Sequence, residues 1–252
     1  MRIAACLLVV AACNTEPPRI EGKVVDIWGH PIEGASVIVL GQTERPMTDS
    51  YGIFKVPAEV GTWEIKAGRE GYIPASSTFE IVDGSSKAPT LQLYTKPENN
   101  GFYVLGQGRY SQAVPQAVVA KGTALAGTRG IEEIGDASAD GPALRVLFHT
   151  DLREDEINRL GLELVKLDYV REAAVSGALG PSSVKMNLYI AEERVDFTLE
   201  PLRSRTDYLI TVPELKPGAY AFHSGEMLDD MNQEAFAQTP PELRLAWPFS
   251  VR

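Results

Sequence analysis

The chain has 252 residues, of which 44% are hydrophobic and 23% charged, so it carries enough apolar side chains for a packed core and is not a disordered protein. Its 24 basic and 34 acidic residues give a formal net charge of −10. That balance argues against nucleic-acid binding, because a phosphate footprint needs clustered Lys and Arg, and two cysteines exclude a disulfide framework or a four-cysteine zinc site.

The first residues are typical of a secretory leader. Residues 1–12 place one cation, Arg2, before an apolar run that ends in small residues. This run is too short to span a bilayer as a permanent helix. The sequence Val10-Ala11-Ala12-Cys13 resembles the lipobox of bacterial lipoproteins. The resemblance implies that Cys13 is joined to diacylglycerol and that the chain is cleaved on its N-terminal side.

Lipidation at Cys13 predicts a location and one partner. We expect a signal peptide at 1–12 and a lipidated tether at 13–18, with the membrane as the partner of the lipid. Asn14 follows the cysteine, where an Asp would resemble the inner-membrane retention signal of enteric bacteria. Its absence favours the outer membrane of a bacterial cell envelope.

Residues 19–95 have the pattern of short strands separated by turns. Apolar residues alternate with polar ones in 20–24 and 63–67, which is typical of half-buried strands. The more continuous apolar run Ala35 to Leu40 predicts a central strand. Roughly seven strands without a long helical pattern predict a β-sandwich.

The turns of this segment carry a recurring set of small and turn-forming residues. These are Gly22 and Val24; Gly29, Pro31, Ile32, Gly34, Ala35 and Val37; Thr48, Asp49, Gly52 and Phe54; and Gly71 and Tyr72. The pattern resembles the carboxypeptidase regulatory-like domain. The resemblance implies a transthyretin-like Greek-key β-sandwich that serves as an accessory or display module.

Residues 96–101 are polar and rich in turn formers, which predicts a linker before a second domain at 102–252. Alternating apolar residues predict a mainly β domain there, a second β-sandwich of immunoglobulin-like kind with one short helix. Asp151 and Glu154 are the expected capping residues of that helix, and Gly161 is its expected end. Lys121 to Pro142 is expected to form surface loops.

Three histidines limit the candidate acid–base chemistry. His30 and Glu33 have the spacing of two zinc ligands, but they fall within the Gly-Pro turn of the first domain, so we expect no metal site. His149 with Asp151 is one candidate fragment of a hydrolytic site. His223 with Ser224 and Glu226, at a strand end, is the other.

Neither histidine fragment comes with a nucleophile motif, so we expect structural histidines at strand ends and no catalytic residues. A histidine, an acid and a hydroxyl that converge in one pocket of the second domain would instead favour an enzyme. No cofactor is expected, since Gly106 and Gly108 lack the helix that follows a dinucleotide loop and indicate a hairpin turn. Asp229, Asp230 and Glu234 lack the spacing of a calcium loop.

Trp28 and Tyr51 both fall in predicted turns of the first domain, where exposed aromatic side chains can stack on sugars or mark a protein interface. The sequence therefore predicts a non-catalytic, lipid-anchored envelope protein with a structural or binding role and an envelope protein or glycan as partner. The alternative is a carbohydrate-binding lipoprotein that uses Trp28 and Tyr51. A hydrolase with its site in the second domain is the third hypothesis.

Overall fold

The computed structural model describes residues 19–57, 59–82, 87–106, 108–123, 126–177, 180–204, 206–225, 228, 238 and 244–252. The leader, the tether and Cys13 lie outside the described residues, as do the acidic residues Glu226, Asp229, Asp230 and Glu234. The chain divides into two compact units, one ending at Tyr94 and the next beginning at Thr95. Where residues are described, no helix has the length and apolar character that a bilayer span requires.

The first unit contains seven strands in two sheets. They are β1 (Arg19–Asp26), β2 (Ser36–Val39), β3 (Ile53–Pro57), β4 (Gly61–Gly68), β5 (Tyr72–Ile73), β6 (Ala75–Ile81) and β7 (Thr90–Thr95). One sheet has the order β3-β1-β7-β5 and the other β2-β4-β6. Alternate residues of both sheets meet in one core, which includes Val24, Phe54 and Leu93 from the first sheet and Val37 and Ile65 from the second. The predicted β-sandwich is confirmed.

The apolar character of the run Ala35 to Leu40 predicts a central strand, and this prediction is wrong. The run forms β2, which lies at the edge of the three-stranded sheet. The reason is visible in its burial, since Val37 and Val39 are buried whereas Leu40 is 55% exposed. The run is therefore one-sided, and its continuous hydrophobicity does not reflect burial on both faces.

A close approach between β1 and β3 explains one glycine of the sequence pattern. Gly22 pairs with Phe54, and a Cβ atom at Gly22 would lie 2.1 Å from Phe54 Cζ. The Phe54 ring therefore covers the backbone of β1 at the one residue that has no side chain. Asp49 holds the turn before β3, because its Oδ1 accepts hydrogen bonds from the backbone N–H groups of Tyr51 and Ile53, both at 2.9 Å.

The second unit contains thirteen strands and one described helix. The strands are β8 (Gly101–Leu105), β9 (Tyr110–Ala113), β10 (Gln116–Ala117), β11 (Val119–Thr123), β12 (Ala126–Gly130), β13 (Ser138–Ala139), β14 (Leu144–His149), β15 (Leu162–Gly177), β16 (Gly180–Arg194), β17 (Thr198–Pro201), β18 (Asp207–Val212), β19 (Gly218–Ser224) and β20 (Leu245–Val251). The helix is α1 (Glu154–Leu160).

Two larger sheets enclose the main core of this unit. One has the order β17-β18-β14-β8-β9 and the other β10-β20-β19-β15-β16, with β13 paired to β20. Phe102, Val146 and Ile210 of the first sheet and Phe222 and Phe249 of the second belong to the same buried cluster. The mainly β character is confirmed, and α1 is the short helix that the sequence predicts.

The segment from Lys121 to Pro142 is not simply a surface loop. It contains most of the β11–β12 hairpin as well as β13, and Ile131 is fully buried, with Tyr189 as its bridge partner. Ile131 packs with Val165 and Ala221 in a second cluster of the unit. The sequence of this segment suggests loops because its many Gly and Ala residues interrupt the alternation of apolar and polar residues by which strands are recognised.

The cap of α1 lies two residues later than predicted. The backbone N–H of Arg153 donates a 2.8 Å hydrogen bond to Glu156 Oε2, so Arg153 and Glu156 occupy the positions expected for Asp151 and Glu154. Asp151 instead accepts a hydrogen bond from Asn100 Nδ2 at 2.8 Å. Gly161 ends the helix in the left-handed conformation, at φ 63° and ψ 58°, as its sequence position predicts.

Candidate functional site

A cavity of about 330 Å³ lies where five strands of the second unit begin or end. His149 is the last residue of β14 and Ser224 the last of β19, while Gly101, Leu162 and Leu245 are the first residues of β8, β15 and β20. We call the cavity lined by these five strand-end residues the end pocket. Both large sheets contribute to it, because β8 and β14 belong to one sheet and β15, β19 and β20 to the other.

Aromatic rings form one wall of the end pocket. Phe102 and Phe148 line it and stack with ring centroids 4.3 Å apart, because they are paired residues on β8 and β14. Trp247, on β20, also lines the pocket and lies 5.3 Å from Phe102 between ring centroids. The rings of Phe102 and Phe222 stack at 4.6 Å, which anchors this wall in the main core.

Helix α1 and the loop before it supply aliphatic side chains to the pocket. Ile157 is buried, Leu160 is 47% exposed, and both line the cavity together with Leu152. Strand β18 stabilises this loop, because the hydroxyl of Tyr208 donates a 3.1 Å hydrogen bond to the backbone oxygen of Leu152. Burial raises the pKa of Tyr208, and the negative charges on the first turn of α1 raise it further.

The polar corner of the pocket is formed by His149 and a buried carboxylate. His149 Nδ1 lies 2.7 Å from Asp207 Oδ1, and Asp207 is fully buried. The two residues are directly opposed on β14 and β18. Asp207 Oδ2 accepts hydrogen bonds from the hydroxyl of Ser204 and, at 3.2 Å, from that of Thr206. The carboxylate is therefore satisfied on both oxygens, and the imidazole is fixed at the edge of the pocket.

His149 bonds to a different acid from the one that its sequence neighbours suggest. Asp151 is two residues away in the chain but bonds to Asn100, whereas Asp207 is 58 residues away and reaches His149 through strand pairing. Asp207 immediately precedes the alternating apolar residues of β18, so its strand was recognisable. The register in which β18 pairs with β14 was not recognisable from the sequence.

A histidine, an acid and hydroxyl groups do converge at the end pocket, since Thr150 and Ser224 line it beside His149. Thr150 Oγ1 accepts a 3.2 Å hydrogen bond from the backbone N–H of Leu152. Among the described residues, no hydroxyl lies within hydrogen-bond distance of the His149 ring. The arrangement has the acid–histidine half of a catalytic triad without a hydroxyl placed on the second ring nitrogen.

His223 does not belong to this pocket. It is fully buried, and its Nε2 lies 3.6 Å from Glu163 Oε2, which is the opposed residue on β15. Glu163 is also 3.3 Å from Arg194 Nη1. Successive side chains of a strand point to opposite faces, so His223 and Ser224 cannot act together as their adjacency in sequence suggested.

The structure places His30 in a turn of the first unit, where its ring Nδ1 lies 2.9 Å from Asp26 Oδ2. Asp26 Oδ1 accepts the backbone N–H groups of both Trp28 and His30 at 2.8 Å. The residues from His30 to Glu33 therefore serve the turn. In the described part of the chain, no three His, Cys, Asp or Glu side chains are grouped to hold a metal ion.

Tyr51 is 70% exposed and lines a shallow groove of about 390 Å³ in the first unit. Pro31, Lys23 and Lys87 line the same groove. Trp28 is half-buried and is not among the lining residues of this groove, so the two aromatic residues singled out from the sequence do not share it.

Comparison with known families decides the nature of the first unit. Residues 19–94 match the model of the carboxypeptidase regulatory-like domain. This confirms the resemblance carried by the Gly-Pro and Thr-Asp turns, and it covers less than a third of the chain. The regulatory-like domain is thus the first of the two units, and the second unit has no family match.

A search of the curated proteins finds no match to this chain. Among solved structures, the major pilin subunit BcpA of Bacillus cereus is similar at 10% identity and a TM-score of 0.26, covering 92% of this chain and 68% of the pilin. A candidate carbohydrate-binding protein from Bacteroides uniformis is similar at 12% identity and a TM-score of 0.21, covering 83% of this chain and 89% of that protein.

Proposed function

We propose that this protein is a lipid-anchored, non-catalytic binding protein of the bacterial cell envelope, located at the outer membrane, and that the end pocket is its binding site. The anchoring part of the proposal rests on the lipobox that ends at Cys13. The binding part rests on one observation, the mostly apolar lining of the end pocket at the edge of both sheets.

The composition of the end pocket supports a binding role. Small-molecule sites are usually concave, mostly apolar and equipped with a few polar groups that orient the ligand. The end pocket has this balance, since aromatic and aliphatic side chains form its walls and His149 forms its polar corner. An apolar ligand gains about 25 cal/mol per Å² of apolar surface that it removes from water.

The contacts of His149 support a role without catalysis. A nucleophile needs its activating base within hydrogen-bond reach, and no described hydroxyl holds that position. The nearby hydroxyls of Ser204 and Thr206 bond to Asp207 instead. They stabilise the buried carboxylate rather than take part in a proton relay.

Binding to the end pocket is tested with butylbenzene and the soluble Cys13→Ser chain, followed by calorimetry. Leu160 lines the pocket and is partly exposed, so Leu160→Arg introduces a charge at the rim without disturbing the core. We expect this variant to bind at least about tenfold more weakly, since an apolar ligand would then lie against a hydrated cation. Val114→Arg, at a 58% exposed site of the same unit, is the matched control. Equal binding by both variants, or none by the parent chain, contradicts the proposal.

The lipid anchor is tested separately by detergent phase partitioning of the protein expressed in a bacterium. We expect the parent chain and Cys6→Ser to enter the detergent phase and Cys13→Ser to remain in the aqueous phase, because Cys13, and not Cys6, ends the lipobox-like sequence. A parent chain that stays in the aqueous phase without processing contradicts the anchor.

Carbohydrate binding by the first unit is a second candidate function, favoured by the exposure of Tyr51. An exposed ring beside a groove with charged and polar groups can stack on a sugar while those groups bond to its hydroxyls. We expect a polysaccharide bound by the chain to be released by Tyr51→Ala and also by Trp28→Ala if the two rings act together. Tyr169→Ala, at an exposed tyrosine of the second unit, is the control. Absence of binding across a broad glycan panel rules this function out.

A further inference from the structure

We infer that the end pocket selects a small apolar molecule that carries a hydroxyl or N–H group, and that this group donates a hydrogen bond to His149 Nε2. The inference rests on the proposed binding function and names the chemical class of the ligand. Three features lead to it: which nitrogen of the His149 ring carries the proton, what surrounds the other nitrogen, and how large the cavity is.

The buried carboxylate determines which ring nitrogen of His149 carries the proton. An ionised carboxylate only accepts hydrogen bonds, so His149 Nδ1, at 2.7 Å from Asp207 Oδ1, must be the donor. Asp207 Oδ2 accepts two further hydrogen bonds, from the hydroxyls of Ser204 and Thr206. In the neutral ring, Nε2 is then an acceptor with a lone pair.

Nε2 lies on the side of the ring away from Asp207 and has no hydrogen-bond partner among the described residues. His149 is only 8% exposed and lines the end pocket. The described polar atoms that are enclosed without a partner do not include Nε2. A donor brought into the pocket can therefore reach this acceptor and bond to it.

The other polar groups of the lining are less selective. Asn100 is exposed to solvent and its amide nitrogen donates to Asp151, while the Thr150 hydroxyl accepts from the Leu152 backbone. Ser224, on the opposite sheet, has a rotating hydroxyl that can donate or accept, so it does not distinguish ligands. His149 Nε2 is therefore the group that sets a preference for donors.

The cavity limits the size of this ligand. Its volume of about 330 Å³ equals that of roughly eleven water molecules at about 30 Å³ each. One aromatic ring with a short alkyl chain fits this volume, and the wall of Phe102, Phe148 and Trp247 suits an aromatic ring. An alkylphenol has both the size and the donor.

The test compares 4-butylphenol with 4-butylanisole, which replaces the phenol hydrogen by a methyl group. We expect the Cys13→Ser chain to bind 4-butylphenol about five- to tenfold more tightly, the usual effect of one hydrogen bond. His149→Leu should bind both probes equally, whereas Val114→Arg, at an exposed site outside the pocket lining, should keep the preference. If the parent chain binds both probes equally, the inference fails and the proposed pocket stands. If it binds neither, the proposed function fails as well.

His149→Leu also removes a partner of Asp207, so a second measurement uses the unmodified ring. Nitrogen-15 NMR of the histidine side chains distinguishes a protonated Nδ1 from a protonated Nε2. We expect His149 to carry its proton on Nδ1 and its Nε2 signal to shift on addition of 4-butylphenol but much less with 4-butylanisole. A proton on Nε2 of the ligand-free neutral ring, or no shift with the phenol, overturns the inference.

Discussion

His149 and Asp207 lie opposite each other on β14 and β18, and a 2.7 Å hydrogen bond joins His149 Nδ1 to Asp207 Oδ1. This pair links the end pocket to the middle of a sheet, because β14 is flanked by β18 on one side and β8 on the other. The orientation of the imidazole is thus a consequence of strand register, and a change at Asp207 acts on both stability and the pocket.

Removing the buried carboxylate should destabilise the second unit strongly. Asp207→Ala leaves His149 Nδ1 and the hydroxyls of Ser204 and Thr206 without their acceptor, at a cost of about 3 kcal/mol. Urea unfolding followed by circular dichroism measures the change. Asp151→Ala, which removes an exposed carboxylate with one partner, should change stability by no more than about 0.5 kcal/mol. Equal losses for the two variants would show that burial of Asp207 has no special role.

Alkaline pH should destabilise the second unit through three of its tyrosines. Burial raises the pKa values of Tyr103, Tyr208 and Tyr220 above the ordinary value of 10.0. The unfolded chain therefore loses these protons first as the pH rises. Their stabilising contribution is complete below about pH 10 and is lost as the pH passes through the raised values.

The alkaline effect is measured by phenolate absorbance and by urea unfolding at about pH 9 and about pH 11. Tyr208→Phe should reduce the loss of stability between the two values, whereas Tyr51→Phe in the first unit should not. A second unit whose stability is unchanged across this range contradicts the prediction.

Glycine is required at position 22 by the ring of Phe54. A Cβ atom there would lie 2.1 Å from Phe54 Cζ, so Gly22→Ala should cost about 2–3 kcal/mol through overpacking. Gly68→Ala is the control, because its nearest non-neighbouring atom would be 3.9 Å away. Thermal unfolding of the first unit measures both. Combining Gly22→Ala with Phe54→Leu should recover part of the loss, and no recovery would show that the ring is not the cause.

Hydrolysis should be absent from the purified protein. With p-nitrophenyl butyrate, an ester that fits an apolar pocket, we expect the parent chain and His149→Leu to release nitrophenol at the same background rate. The reason is that His149 has no described hydroxyl within reach to activate. A faster parent chain whose activity is lost in His149→Leu would establish the hydrolase hypothesis and reject a purely binding role.

The first sandwich was predictable because its local signals agree with its fold. Thr48, Asp49 and Gly52 specify a turn through their own hydrogen bonds and dihedral angles, and β3 follows directly. The position of β14 was predictable for a similar reason, since four of the five residues from Leu144 to Phe148 are apolar. These features depend on residues that are close together in the chain.

The end pocket could not be predicted because it depends on contacts between distant residues. Phe102 stacks on Phe148, and His149 meets Asp207, only after the strands have paired in one register. A one-residue shift of that register would send His149 to the other face of the sheet. The sequence suggested that His223 acts with Ser224 because the two residues are adjacent. Adjacent residues of a strand lie on opposite faces of the sheet, so their side chains are apart.

The long hairpin of β15 and β16 has a consequence for association between molecules. β15 pairs with β19 only from Leu162 to Leu167, so from Asp168 onward its outer edge has no strand partner in the described part of the chain. Such an open edge can recruit a strand from another molecule and start aggregation. Here the exposed charges of Arg171 and Glu172 sit beside a bulge in the pairing, which is the usual way in which proteins prevent edge-to-edge growth. Replacing these two charged residues by valine would therefore be expected to remove the protection that keeps this edge soluble at high protein concentration.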